Sequence, residues 1–168
     1  NKLKDVNIAI IETKDDYMYS GVGQILGSAG ANVINVTTIT DNIMNEGILK
    51  NIYNELGITI KNNKQIPNAV EELTKSLITG KESELIEKLV ENNIIDIVGI
   101  IDEPIDYIII AGGSVKEDRN RINLVDKTIV DVSKGMNIPL IGIEKIKASY
   151  SYMENYKSFR ISTIDNID

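Results

Sequence analysis

The stretch Gly112-Gly113-Ser114 follows the apolar run Tyr107–Ala111 and is the first place in this sequence where residue types and spacing could do chemistry. Two glycines let the backbone turn sharply at the end of a strand, and their amides can then face an anion. The plainer task of such a pair is to shape the turn into the next helix. A bare doublet is weaker than a dinucleotide fingerprint, no G-x-G-x-x-G opens a helix, and no Gly-Lys-Ser/Thr phosphate loop occurs in the chain. A second candidate is Glu144, which ends the run Pro139-Leu140-Ile141-Gly142-Ile143 and has the carboxylate of a general base. Gly112, Gly113, Ser114 and Glu144 are therefore the ligand-binding candidates. No catalytic residue, cofactor or metal ligand is assigned.

Other chemistry is restricted by composition. The chain has no Cys and no His, which removes the thiol nucleophile, the commonest general base and the commonest transition-metal ligand. Soft Cu(I) would need thioethers, and Met18, Met44, Met136 and Met153 form no M-x-M or M-x-x-M cluster, so they read as core fillers. The carboxylates Glu12, Asp15, Asp16, Asp102, Glu103 and Asp106 crowd expected strand ends without the spacing of a coordination loop. Helix capping and solvation explain them better than Mg²⁺ or Ca²⁺. A net charge of −7 opposes a phosphate backbone, and Arg119 and Arg121 sit beside Glu117 and Asp118, so nucleic acid is not an expected partner. Tyr150, Tyr152 and Tyr156 suit either a core or a partner-binding face.

The elements that must position these residues alternate. Val6–Ile11 reads as a buried strand, then Asp15 or Asp16 caps a helix running to Ala29, and Val33–Ile39 forms a second strand. Gly21-Val22-Gly23 falls inside that helix and is read as close packing against the sheet. Asp41 caps a helix over Ile43–Leu56; Pro67 suits the first turn of another at Asn68–Thr79, after a loop at Lys61–Gln65. Ser83–Glu91 shows an apolar face of Leu85, Ile86, Leu89 and Val90. Strands follow at Ile94–Ile101 and Asp106–Ala111, and then a helix over Glu117–Lys134 closed by Gly135. Pro139–Ile143, a helix over Ser149–Tyr156 and a strand at Arg160–Thr163 complete the chain. The pattern predicts one α/β domain over 1–168, a three-layer sandwich on a mostly parallel sheet.

The order strand, Gly-Gly, helix, strand ending Gly-Ile-Glu, then STIDNID (162–168) resembles the MctB/SteB family of copper transport proteins. The resemblance implies an extracytoplasmic domain of a longer, single-pass membrane protein, with a protein partner at the cell envelope. It also implies a parent homodimer built through an upstream coiled coil; the missing initial Met agrees with a fragment. Family members are assigned to copper homeostasis, and relatives to a cell-division scaffold. The fold looks like the flavodoxin-like or class I amidotransferase-like sandwich, in which the elbow held by Glu144 would carry a nucleophilic Cys. Without thiol and imidazole that acyl transfer has no agents, so the expectation is a non-catalytic domain. The alternative is a carboxylate-dependent hydrolase at the Gly112-Gly113/Glu144 crevice, with Glu12 or Asp102 as the second acid.

Overall fold

A computed structural model describes residues 3–167, with only the backbone of Asn166; Asp168, the last residue of the STIDNID motif, lies outside the described residues. Six strands form one sheet: β1 (Asn7–Glu12), β2 (Asn32–Ile39), β3 (Ile95–Gly99), β4 (Tyr107–Gly112), β5 (Leu140–Lys145) and β6 (Ser162–Ile167). Their spatial order is β3-β2-β1-β4-β5-β6, and every pairing is parallel except that of β2 with β3. Ile-rich runs make the central strands because both of their faces are buried. Ile8 and Ile10 face one core cluster, while Ala9 and Ile11 face the other.

The two sides of the sheet are covered unequally. On one side lie α2 (Glu46–Glu55), α3 (Gln65–Thr79), α4 (Glu84–Glu91), α5 (Arg119–Arg121), α6 (Lys127–Gly135) and α7 (Met153–Ser158). Among the described residues the other side carries α1 (Ser20–Ser28) alone. Handedness explains this. Parallel crossovers are right-handed, so β1→β2 and β4→β5→β6, which step in opposite directions from the centre, put their helices on opposite faces. Because β3 is reached by an antiparallel connection, no second helix joins α1.

Several boundaries differ from the sequence reading. The first helix starts at Ser20, and neither Asp15 nor Asp16 caps it; the Asp16 carboxylate instead accepts the Val115 N–H at 2.8 Å. The expected helix from Asp41 is a short 3-10 turn, Asp41–Met44, capped by the Thr40 hydroxyl, followed by α2 with Asn45 as its cap. Lys61–Asn63 forms another 3-10 turn, with Asn62 and Asn63 at φ 63° and 50°. The last helix begins only at Met153, because Tyr150 first bridges back to Ser114. On α4 the apolar face is Leu85, Ile86 and Leu89, while Val90 is exposed.

The glycines sort by what a side chain would meet. A Cβ on Gly23 would lie an ordinary 3.8 Å from Ile10, and one on Gly21 would meet nothing within 4 Å. Close packing therefore does not account for that pair, and α1 buries no residue fully. Gly112 is different: its Cβ would fall 2.7 Å from Tyr152 Cδ2 and 2.8 Å from Tyr156 Cζ. Ala at these two positions should act with opposite signs. Gly112→Ala overpacks the core and lowers unfolding free energy by about 1–3 kcal/mol, whereas Gly21→Ala raises it by roughly 0.5–1 kcal/mol. Denaturant unfolding of the two variants checks both signs.

Candidate functional site

The order of strands reverses between β1 and β4, and in open α/β sheets ligands sit beyond the carboxyl ends of the strands at such a point. Here that edge is occupied largely by the chain's own side chains. Arg121 is fully buried. Its Nη2 donates to the carbonyls of Thr13 at 2.6 Å, Ile39 at 3.0 Å and Thr40 at 3.3 Å, and Nε donates to Thr13 at 3.2 Å. Nη1 reaches the exposed Asp41 carboxylate at 3.3 Å. One guanidinium thus ties the ends of β1 and β2 together with its fixed fork of donors.

A π-turn makes this possible. Ile122–Asp126 lies between α5 and α6, and the three run on as one helix. Residues five apart point well away from each other on an α-helix, but the wider π-turn returns them to nearly the same side. Both ends of that spacing, Arg121 and Asp126, are fully buried. Asp126 Oδ2 accepts the Tyr156 hydroxyl at 2.5 Å, and Oδ1 has no partner among the described residues. Burial pushes the Asp126 carboxyl up to about 6, against the lowering effects of Tyr156, Thr13 and the Arg121 charge.

Tyrosines close the other half of the edge. Tyr19 donates its hydroxyl to the Gly112 carbonyl at 2.7 Å and accepts the Lys145 N–H at 3.0 Å, joining the ends of β4 and β5. Burial, with the nearby Glu144 and Glu12 charges, raises that hydroxyl to about 12 despite the bond from Lys145. Tyr152 and Tyr156 are fully buried, with their rings edge-on 6.2 Å apart. They are core residues, while Tyr150 is half-buried.

The residues singled out in the sequence lie beneath this floor. Glu144 is buried, and its Oε2 accepts the Tyr152 N–H at 2.6 Å. Gly113 has φ +89°, and a Cβ there would stand 2.9 Å from Glu144 Cγ. Ser114 is buried; its hydroxyl donates to the Lys116 carbonyl at 2.5 Å, and its N–H bonds Tyr150. The structure brings Gly112, Gly113, Ser114 and Glu144 together, as packing around α7. Neither carboxylate suggested as a partner for Glu144 is free beside it. Glu12 accepts the Thr38 hydroxyl at 2.7 Å and the Tyr19 N–H at 3.1 Å, and Asp102 is exposed in the connection entering β4 from the opposite edge.

Above the floor lies an open hollow of about 560 Å³, lined by Lys14, Asp16, Asp41, Met44 and residues 115–118. Some of its charges are paired: Lys14 with Asp16 and Asp41, Asp41 also with the buried Arg121, and Glu117 with Arg119. The Lys14 hydrogen bond, against burial and with help from the Lys14 and Arg121 charges, holds the Asp41 carboxyl below its ordinary value. Sequence reasoning missed Arg121 and Asp126 because a spacing of five is no helical face until the π-turn is known.

These features define a doubly wound α/β sandwich whose switch-point crevice is floored by its own arginine and tyrosines. The chain belongs to the MctB family, described as copper transport outer membrane protein, whose model matches residues 1–168. Membership implies a function related to copper transport. Among curated proteins none matches the chain. The donors do not fit a soft-metal site: there is no Cys or His, Met153 is buried and Met18 stands 77% exposed. The latter corrects the reading of all four methionines as core fillers. No group of three metal-ligating residues occurs among the described residues, and no helix there is long and apolar enough to cross a membrane.

Two substitutions test this edge. Arg121→Met strands the carbonyls of Thr13 and Ile39, while that of Thr40 keeps the Ile43 N–H, and should cost about 2–5 kcal/mol of stability, with Lys unable to rescue because it lacks the fork. The second concerns Asp126, whose folded pKa is raised from 3.8 to about 6. Its contribution is fully present below the ordinary value and lost as pH rises to the folded one. Relative to Asp126→Asn, the native chain should therefore lose about 2 kcal/mol between pH ~4 and ~7. Unfolding at both pH values reads the change, and a constant difference would refute it.

Proposed function

We propose that this chain is a non-catalytic extracytoplasmic domain of a membrane-anchored protein, serving copper homeostasis through contact with a protein partner at the cell envelope. The observation that carries this reading is the thinly covered sheet face. From Tyr17 to Thr40 no residue carries a charge, although charged residues make up 26% of the chain. On and beside that segment Met18, Ile25, Val98 and Ile100 are each more than 60% exposed. Between α1 and the β2–β3 edge runs a groove of about 520 Å³ lined by Met18, Gly23, Val33, Val36 and Val98. Exposed apolar surface of this kind marks contact sites.

The family resemblance supports the envelope setting and the coupling to copper, and the absence of thiolate and imidazole donors supports an indirect role in handling the metal. The position of Glu144 supports the non-catalytic reading, because its carboxylate holds the Tyr152 N–H. A strain lacking the protein, complemented with variants, separates the readings. Glu144→Gln keeps an acceptor for Tyr152 and should restore copper tolerance fully. Ile25→Lys places a charge on the open face and should fail while the domain stays folded. The reverse pattern would point to hydrolysis at Glu144. Tight stoichiometric Cu(I) binding in calorimetry would refute the indirect role.

A further inference from the structure

Away from the sheet edge, α2, α3 and α4 hold two buried polar atoms without partners among the described residues, the Tyr53 hydroxyl and the Gln65 side-chain carbonyl. Both residues are nearly inaccessible, 3% and 4% exposed. Buried polar atoms are ordinarily paired, and one left open is a standing cost unless something else supplies its bond. Phe at position 53 would avoid that cost.

Tyr53 and Gln65 line one cavity of about 260 Å³, whose mouth carries Lys50, Asn54 and Thr59. Gln65 is also the first residue of α3, a helix with no side-chain cap and no acidic residue in its first turn. Its amino end therefore adds uncompensated positive character. Lys50 stands in no ion pair among the described residues. On the other side, Tyr53 and Ile58 form the shared wall of a second cavity of about 380 Å³, which carries Glu72 and Glu84. Those two carboxylates are likewise exposed and unpaired among the described residues. The Glu72 charge is felt at the Tyr53 hydroxyl, adding to burial in pushing it up to about 12. Together the cavities reach the roughly 300–1,000 Å³ of small-ligand sites.

A positive hollow and a negative hollow thus meet at a wall that includes Tyr53, with its unpartnered hydroxyl, and Gln65 lines the positive side. We infer that the paired hollows around Tyr53 bind a short zwitterionic peptide. Its carboxylate lies toward Lys50 and the start of α3, and its ammonium toward Glu72 and Glu84. Its backbone bonds the Tyr53 hydroxyl and the Gln65 amide, while Ile58 and Leu85 accept small apolar side chains. This site is separate from the α1 face and does not depend on it.

Amide-resolved NMR titration of the whole chain with tri-alanine is the test. Saturable shifts should appear at Tyr53, Gln65 and their neighbours, and the N-acetyl, C-amide form of the same peptide should bind at least about tenfold more weakly. Lys50→Ala and Glu72→Gln, both at exposed positions, should each weaken tri-alanine about tenfold and leave the other resonances in place. Tyr53→Phe should raise the unfolding temperature of the ligand-free chain by roughly 2–4 °C while weakening the peptide. No saturable shift at millimolar tri-alanine, or equal binding of the blocked peptide, would overturn the inference. A Tyr53→Phe variant less stable than the native chain would overturn it too, because the hydroxyl would then have a partner within the fold.

Discussion

The buried guanidinium of Arg121 is the contact on which the rest of this structure depends. A charge taken fully out of water is tolerated only where other groups replace its hydration. Here the substitutes are mostly main-chain carbonyls at the ends of β1 and β2, with one carboxylate at the rim. Those carbonyls stand at or just beyond the ends of their strands, and without the guanidinium they would need water. The arginine and the strand ends satisfy one another, and the helix carrying Arg121 is thereby fixed over the sheet. The π-turn follows from the same requirement, since it brings Arg121 and Asp126 inward together while Ile122, Val125 and Ile129 remain in the core.

The location of that contact bears on function. In open α/β sheets the carboxyl edge at a strand-order reversal is where ligands usually reach the backbone. In this chain Arg121, Tyr152, Tyr156 and Tyr19 take those positions, and the glycines that a ligand would need are used by the tyrosines. Gly112 is flat against Tyr152 and Tyr156, and Gly113 against Glu144. The elbow carboxylate is spent on the backbone of the turn into α7. Chemistry at that edge would compete with bonds the fold itself uses. The surfaces left with unmet demands lie elsewhere: an uncharged apolar face around α1, and the unpartnered Tyr53 and Gln65 between α2 and α3.

The copper-transport family and this donor set constrain each other. Cu(I) favours sulfur ligands, and the four methionines stand at the approach to α1, the 3-10 turn, the end of α6 and the start of α7. No two of them can be read as a shared site from sequence spacing. The indirect role in copper handling proposed above rests on this donor set together with membership of the family.

Periodicity alone determined the strand and helix order, the parallel sheet and the strand-end positions of Gly112 and Glu144, because buried strands and amphipathic helices leave local patterns in the chain. The missing Cys and His were equally plain there. Tertiary structure decided which carboxylate does what: Asp16 bonds Val115 rather than capping α1, and Glu12 holds Thr38 and Tyr19. It also decided the antiparallel β3 and the bare sheet face that results. Arg121 and Asp126 were invisible as a pair, because their spacing acquires meaning only in the π-turn. Tyr53 looked like an ordinary helix residue and Gln65 like the end of a loop, because the lack of a partner is a property of the whole packed interior. Local pattern is written along the chain; hydrogen-bond satisfaction is settled only when distant segments meet.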